Sequence, residues 1–300
     1  MSSPDGRAAR AMPAPGRDAP GRGGSIFLRE LVKTCLKWRT WIGFAAVAVL
    51  VPLVQFGLLW QGKAAMRGMV RSLEQDFVLL GNLFNGYLVT YWIMNSLWVH
   101  IPFLISLVAG DQLAGEATGG TFRLILIRPA TRSRILGAKL LTTLLYAFTL
   151  VAFLLGLSLG LGLLLFGAGD LLVPGFSLTV LPEAGLPWRF ALSLALAAWS
   201  MWCVASLALL FSSLVENAIG PIIGTMTVII AFFVVSSMPI EMFEAVRPYL
   251  FTTYLSAWQK VFAEPVPWPE IGESVLKLGG HSVGFLLCTW YIFARKDILS

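Results

Sequence analysis

Six apolar runs divide this chain, at residues 41–60, 82–109, 140–166, 189–211, 218–237 and 275–294, and polar residues gather between them rather than alternating through them. At roughly 1.5 Å of rise per residue, about 20 helical residues cross a hydrocarbon core of ~30 Å, so each run is long enough to span a bilayer. The second and third are longer, which permits tilt without fixing an angle. A backbone in lipid must satisfy its own hydrogen bonds, and none of the runs alternates as a barrel strand does, so the pattern predicts helices. A different periodicity precedes them. Over residues 25–39, Phe27, Leu28, Leu31, Val32, Cys35 and Leu36 recur at helical spacing, while Arg29, Glu30, Lys33, Lys37 and Arg39 take the other faces. That predicts an amphipathic elbow helix lying among lipid headgroups, with Trp38 and Trp41 marking the interface. Residues 1–24 are rich in Pro, Gly and Arg and hold no apolar run, which predicts a disordered tail with no cleavable signal peptide. The expected fold is therefore an all-α integral membrane protein, with residues 25–300 forming one domain of six transmembrane helices behind an interfacial elbow helix.

Composition and charge refine this picture. The chain is 57% hydrophobic and 13% charged with mean hydropathy +0.78, far from the roughly one-quarter charged residues of a soluble domain. If both termini are cytoplasmic, the inner segments 1–40, 110–139, 212–217 and 295–300 carry fifteen Lys/Arg against seven Asp/Glu, and the outer ones seven against nine. The Lys/Arg asymmetry favours that orientation, with both termini in the cytoplasm. The basic pI of 9.4 then reports topology and not nucleic-acid binding, which would need a basic soluble face. Residues 61–81 and 167–188 are outer connections. Residues 238–274 form a long acidic outer loop with a short amphipathic helix near 240–250, where Trp258 and Trp268 suit the interface.

Chemistry is sparse. The chain has no GxxxxGK[ST] phosphate loop, no HExxH or GxSxG, and no clustered carboxylates, so no catalytic residue is assigned. Its three cysteines show no CxxC, which predicts neither a disulfide framework nor a zinc site. Two histidines, His100 and His281, fall within spans and leave open an integral-membrane redox or enzyme subunit as the alternative reading. Asn85, Asn95 and His100 make the second span polar and are candidates to line a pathway, with interhelical hydrogen bonding the competing explanation. The glycine pairs 156/160, 220/224 and 280/284 have the spacing of close helix approach. Between the second and third spans lies the basic stretch GDQLAGEATGGTFRLILIRPATRSRILGAK, residues 110–139. It predicts a short surface helix broken at Gly119–Gly120 and ended by Pro129, followed by a third span capped at Thr131 or Ser133. Arg132, Arg134 and Lys139 would snorkel to lipid phosphates.

Residues 116–139 resemble the signature of the ABC-type-2 transporter permease family, roughly E-x-x-x-G-T-[LF]-x-x-[LI]-L-x-x-P-x-x-R-x-x-[IL]-x-x-[AG]-K, at Glu116, Gly120, Thr121, Phe122, Leu126, Pro129, Arg132, Ile135 and Lys139. The resemblance extends to the elbow helix, the SSLVEN turn at 212–217, the long outer segment and the FARKDIL ending, over roughly 275 residues in order. It implies the membrane subunit of an ATP-driven exporter, with ATP and Mg held by a separate ATPase subunit and no cofactor in this chain. The implied partners are that ATPase, a second permease copy and membrane lipid. The segment 111–134 would couple to the ATPase, with Glu116, Gly120, Thr121, Phe122, Arg123, Pro129 and Arg132 as coupling residues. The family handles lipids, polysaccharides, peptides, antibiotics and ions, and nothing in these spans selects among them.

The charge division yields a direct test of orientation. With Cys35, Cys203 and Cys288 replaced by serine, single cysteines at Ser133 and Glu264 should react oppositely with a membrane-impermeant thiol reagent. Glu264→Cys should label in intact cells and Ser133→Cys only after lysis, and labelling of Ser133→Cys from outside would reverse the assignment.

Overall fold

The computed structural model describes residues 22–62, 84–118, 131–173 and 179–295. The chain is predominantly helical. It begins with α1 (Arg22–Leu36), three residues ahead of the expected start, and α2 (Trp38–Gly57), which runs on through a π-helical turn, Leu58–Gly62. Next come α3 (Gly86–Leu97), α4 (Ile101–Asp111) and the short α5 (Ala114–Thr118). The long α6 (Arg132–Phe166) leads to a two-stranded antiparallel hairpin, β1 (Leu171–Val173) and β2 (Thr179–Leu181), in a connection where no strand is expected. Then follow α7 (Leu186–Leu214), α8 (Gly220–Ser237), α9 (Glu241–Glu244), 3-10 turns at Arg247–Tyr249 and Phe251–Phe262, and α10 (Trp268–Arg295).

Contacts sort the helix ends into two groups. At one end, Arg39 of α2 meets Asp111 of α4, Ser212 of α7 meets Gly110, and Arg132 at the start of α6 meets Ala294 at the end of α10. This is the charged end. At the opposite end Asn85 meets Asp170, Ser236 lies 3.0 Å from Thr252, and Lys260 pairs with Glu270 at 3.1 Å. The helices thus alternate in direction, as successive spans must. Among the described residues four are long and apolar enough to cross a membrane: Trp38–Trp60, Arg132–Phe166, Glu183–Leu214 and Gly220–Ser237. The pair α3 and α4 makes a fifth if counted as one bent span. The chain is a membrane protein with several apolar helices. The helix over the expected sixth span, α10, is long enough but is not in that set, and its first half carries Glu270, Glu273, Lys277 and His281.

The most buried of the spans is the one containing α7, 61% buried against 17% for α8 and 22% for α2. A helix that is apolar all round belongs in a core, and α7 is the axis on which the others pack. Exposed aromatic residues ring both ends. Trp38, Trp41, Trp290 and Tyr291 lie at the charged end, and Trp60, Trp188 and Trp268 at the other. Trp41 and Trp60 are nineteen residues apart on α2 and its extension, roughly 28 Å, close to the thickness of a hydrocarbon core.

Two parts of the fold differ from the sequence pattern. The second span is not continuous, since α3 and α4 meet at 53° across Trp98–His100. Pro102, in the first turn of α4, has no N–H to offer the Trp98 carbonyl. Asn95 adds to the break by donating to the Tyr91 carbonyl at 2.7 Å. The acidic segment 238–274, expected as an outer loop, is no simple loop either. Phe251–Phe262 winds at three residues per turn, so side chains three apart stack in straight rows. Two of the three rows, Phe251/Tyr254/Ala257 and Thr252/Leu255/Trp258/Val261, are buried. Trp258, expected at the interface, is fully buried beside Trp98, Tyr91 and Phe262.

Glycine spacing also misdirects. A Cβ on Gly156, Gly160, Gly280 or Gly284 would meet nothing within 4 Å, whereas one on Gly86 would fall 2.6 Å from the Gly162 carbonyl oxygen. The tightest backbone crossing among the described glycines is therefore α3 against α6 at Gly86 and Gly162. Of the expected pairs only 220/224 makes a close approach, a Cβ on Gly224 falling 3.2 Å from the Phe211 ring of α7. Gly86→Val should destabilise the protein by about 1–3 kcal/mol, as overpacking does. Gly156→Ala and Gly284→Ala should stay within about 0.5 kcal/mol of the parent. Chemical unfolding in detergent micelles reads both, and equal losses at Gly86 and Gly284 would refute this packing.

Candidate functional site

Charge in this protein concentrates where α1, the 111–118 segment and the base of α6 converge. Glu30, Lys33 and Thr34 recur at three- and four-residue intervals and so share one face of α1, and Lys37 follows just past its end on the same side. That face turns into the protein. Lys33 pairs with Glu116, Glu30 with Lys139 at 2.9 Å, and Lys37 with Asp111 at 2.6 Å. Arg39, just inside α2, takes the other oxygen of Asp111 at 2.7 Å. The apolar face, with Leu28, Val32 and Leu36, points outward. This inverts the arrangement of a helix on a soluble protein and suits one whose outer surface is lipid.

Glu116 and Lys139 form the centre. They are 2% and 1% exposed and meet at 2.5 Å, while a second bond of Lys139 runs to Glu30. Three carboxylates thus face four cations in two groups, Lys33–Glu116–Lys139–Glu30 and Lys37–Asp111–Arg39. Desolvating such groups is costly, and their mutual pairing with short geometry offsets that cost. Lys139 lies six residues beyond Ser133, whose hydroxyl accepts the Trp290 N–H, and so roughly 9 Å deeper than the aromatic ring. It does not snorkel outward as expected, because Glu116 and Glu30 hold it.

Backbone geometry delivers the carboxylates. After α4 ends at Asp111 the chain turns through Gln112 and Leu113 into α5. The Ser212 hydroxyl accepts from the N–H groups of Leu113 and Ala114, at 3.1 and 2.9 Å, and donates to the Gly110 carbonyl at 2.5 Å. It caps α5 from another helix. Leu113 packs against Leu136 and Phe293. Gly115 has to lack a side chain, since a Cβ there would overlap the Asp111 carboxylate. Residues 111–116, expected as a surface helix, are built into the bundle. Of the predicted coupling residues, Gly120, Thr121, Phe122, Arg123 and Pro129 lie outside the described residues. Glu116 is internal, and Arg132 donates to the Ala294 carbonyl at 2.9 Å, closing the end of α10. Thr131 precedes α6 without a side-chain cap.

The predicted pathway residues are not brought together. Asn85 caps α3 by accepting from Tyr87 and Leu88 and donates to the Asp170 carbonyl at 2.7 Å. Asn95 accepts from Gln259 at 2.6 Å, and His100 is exposed at the bend. Both ring nitrogens of His281 face backbone carbonyls, Lys277 at 2.7 Å and Tyr249 at 3.0 Å. The contact with Tyr249 ties α10 to the segment that precedes Phe251–Phe262. Sequence reasoning missed the inward role of Glu30, Lys33 and Lys37. Their helical spacing was visible, but which face meets protein was not.

Removing one partner of a buried pair isolates the other. Lys139→Met should cost about 3 kcal/mol, the low end of the range for such breaks because Lys33 still faces Glu116. Adding Glu116→Leu to Lys139→Met should recover part of that loss, with a coupling of about 1–3 kcal/mol in a double-mutant cycle. Strict additivity in unfolding measurements in micelles would show that the two side chains do not act as a pair.

Comparison with known proteins places this geometry in a family. The uncharacterized protein YhcI of Bacillus subtilis (strain 168) is 25% identical over 221 residues, covering 71% of this chain and 70% of the relative. A family model described as a protein of unknown function (DUF2705) matches residues 48–299, a stretch that contains Asp111, Glu116, Lys139 and Ser212 but begins after α1. The chain belongs to the DUF2705 family of proteins of unknown function.

Proposed function

We propose that this chain is the membrane-spanning permease subunit of an ATP-driven exporter in the cell membrane, with six spans, both termini in the cytoplasm and the ATPase on a separate subunit. The supporting observation is the pairing of Glu116 with Lys139 at 2.5 Å. These residues begin and end the stretch that resembles the ABC-type-2 permease signature, 23 positions apart. The stretch between them therefore starts and ends at one ion pair. A loop clamped at both ends passes a push from a docked partner into the helices that hold it, here α1, α4 and α6. That is what coupling through a contiguous physical network requires. In this reading Glu116 positions the coupling segment and does not itself touch the ATPase, while Phe122 and Arg123 supply contacts. Two copies of the chain, with two ATPase subunits, form the working assembly and the translocation pathway.

The test is copurification with a candidate ATPase from the same cell, followed by ATP hydrolysis in proteoliposomes. Phe122→Ala should weaken association by roughly 1–3 kcal/mol, as loss of an apolar interface anchor does. Arg134→Gln, at an exposed position outside the ion cluster, should leave it unchanged. Transport by a monodisperse monomer with no ATPase present would overturn the proposal.

A further inference from the structure

An apolar cleft of about 430 Å³ opens on the flank of the bundle between α1, α6 and α7. Phe27 forms one wall, Leu141, Leu145 and Phe148 of α6 a second, and Trp199 and Trp202 of α7 a third. Its size falls in the range of roughly 300–1,000 Å³ found for ligand-holding clefts. Trp199 spends its indole N–H on the Val275 carbonyl at 3.1 Å, which fixes that ring as a wall. Depth decides what medium the cleft faces. Leu141 and Phe148 lie eight and fifteen residues beyond Ser133, roughly 12 and 22 Å along α6 from the aromatic ring at the charged end. The cleft is therefore inside the apolar slab, on helices of membrane-spanning length, and beyond the indole N–H of Trp202, which has no partner, its walls are almost wholly apolar and would hold water poorly. The outward apolar face of α1 brings lipid to its edge.

We propose that this cleft is a binding site for one acyl chain of a membrane phospholipid. The inference rests on membrane embedding alone and goes beyond the proposed partnership with an ATPase. Its consequence is mechanical. Phe27 lies one turn before Glu30, which is bonded to Lys139, so the chain filling the cleft packs beneath the same helix that the ion cluster anchors. Lipid and salt bridges together seat α1 against α6.

The experiment uses the full chain in nanodiscs of phosphatidylcholine carrying a photoactivatable diazirine in its acyl chain, with adducts mapped by peptide mass spectrometry. Adducts should concentrate on 141–148 and 195–202 relative to the exposed surface around Ile230 of α8. Ala195→Phe, which fills the cleft from an exposed position, should reduce labelling there about tenfold while leaving the Ile230 region unchanged. Should that variant lose its monodisperse elution, Ala198→Leu provides the same obstruction. Leu145→Ala, which widens the cleft, should retain or raise labelling. Uniform labelling over all lipid-facing surfaces, labelling unaffected by Ala195→Phe, or labelling by the free diazirine fatty acid but not the phospholipid would each overturn the proposal. No ATPase is present, so failure here leaves the transport reading intact.

Discussion

A carboxylate held at the rim of a hydrocarbon slab must be met by fixed cations, because little water is there to solvate it. Glu116 is in that position, and the conformation of the charged end follows from satisfying it. Lys139 approaches from α6 and Lys33 from α1, and the spare capacity of Lys139 draws in Glu30. Asp111 imposes a parallel demand one turn away, answered by Lys37 and Arg39. Local features make these pairings possible: the empty Cα of Gly115, the borrowed cap from Ser212, and the turn through Gln112 and Leu113. Ion pairs of this kind are weak evidence for extra stability, since an apolar core of equal volume often does as well. What they do here is fix relative positions, because moving any one partner away leaves a desolvated charge behind.

That specification explains α1. Without partners, a helix with Leu28, Val32 and Leu36 on one face and Glu30, Lys33 and Lys37 on the other would bury the first and solvate the second. Here the charged face is committed to Glu116, Lys139 and Asp111, so the apolar face is left for lipid. The same residues give the same periodicity in both orientations. The hydrophobic pattern fixes that a face exists, and the distribution of opposite charges elsewhere in the chain decides which way it turns.

This marks where sequence is legible and where it is not. The spans α2, α6, α7 and α8 follow from runs of apolar residues, a signal read within one segment. The exposed tryptophans at helix ends were legible for the same reason, except Trp258. An amphipathic tryptophan suits an interface and a buried aromatic cluster equally, and only the return of Phe251–Phe262 onto α3 and α7 distinguishes them. The break at Trp98–His100 was signalled by Pro102, yet proline in a transmembrane run is often tolerated without a bend of 53°. The Glu116–Lys139 pair was present as the two ends of a motif. Its meaning depended on a 2.5 Å contact across 23 residues, which no local pattern reports.

The two ends of the bundle are held by different physics, and the difference shapes how displacement can travel. At the charged end, ion pairs and capping bonds join α1, α4, α5, α6 and α7 into a block whose parts cannot shift without isolating a charge. At the other, aromatic packing and the Asn95–Gln259 bond tie α3 to the Phe251–Phe262 segment. Aromatic contacts tolerate sliding better than buried charge pairs, since dispersion is non-directional and one contact replaces another along a face, while an unpaired charge bears its full desolvation cost. Between the two regimes stands the bend at Trp98–His100, the one place in the α3–α4 span where the helical ladder is already interrupted. On the proposed reading, a push delivered to the loop between Glu116 and Lys139 moves the charged block as a unit. Then α4 moves with it through Asp111, and rotation about the bend is the compliant step that relays motion to α3 and the outer segment. The acyl-chain cleft lies beside this path on the α1 side, where a packed chain would resist separation of α1 from α6 and keep the block whole.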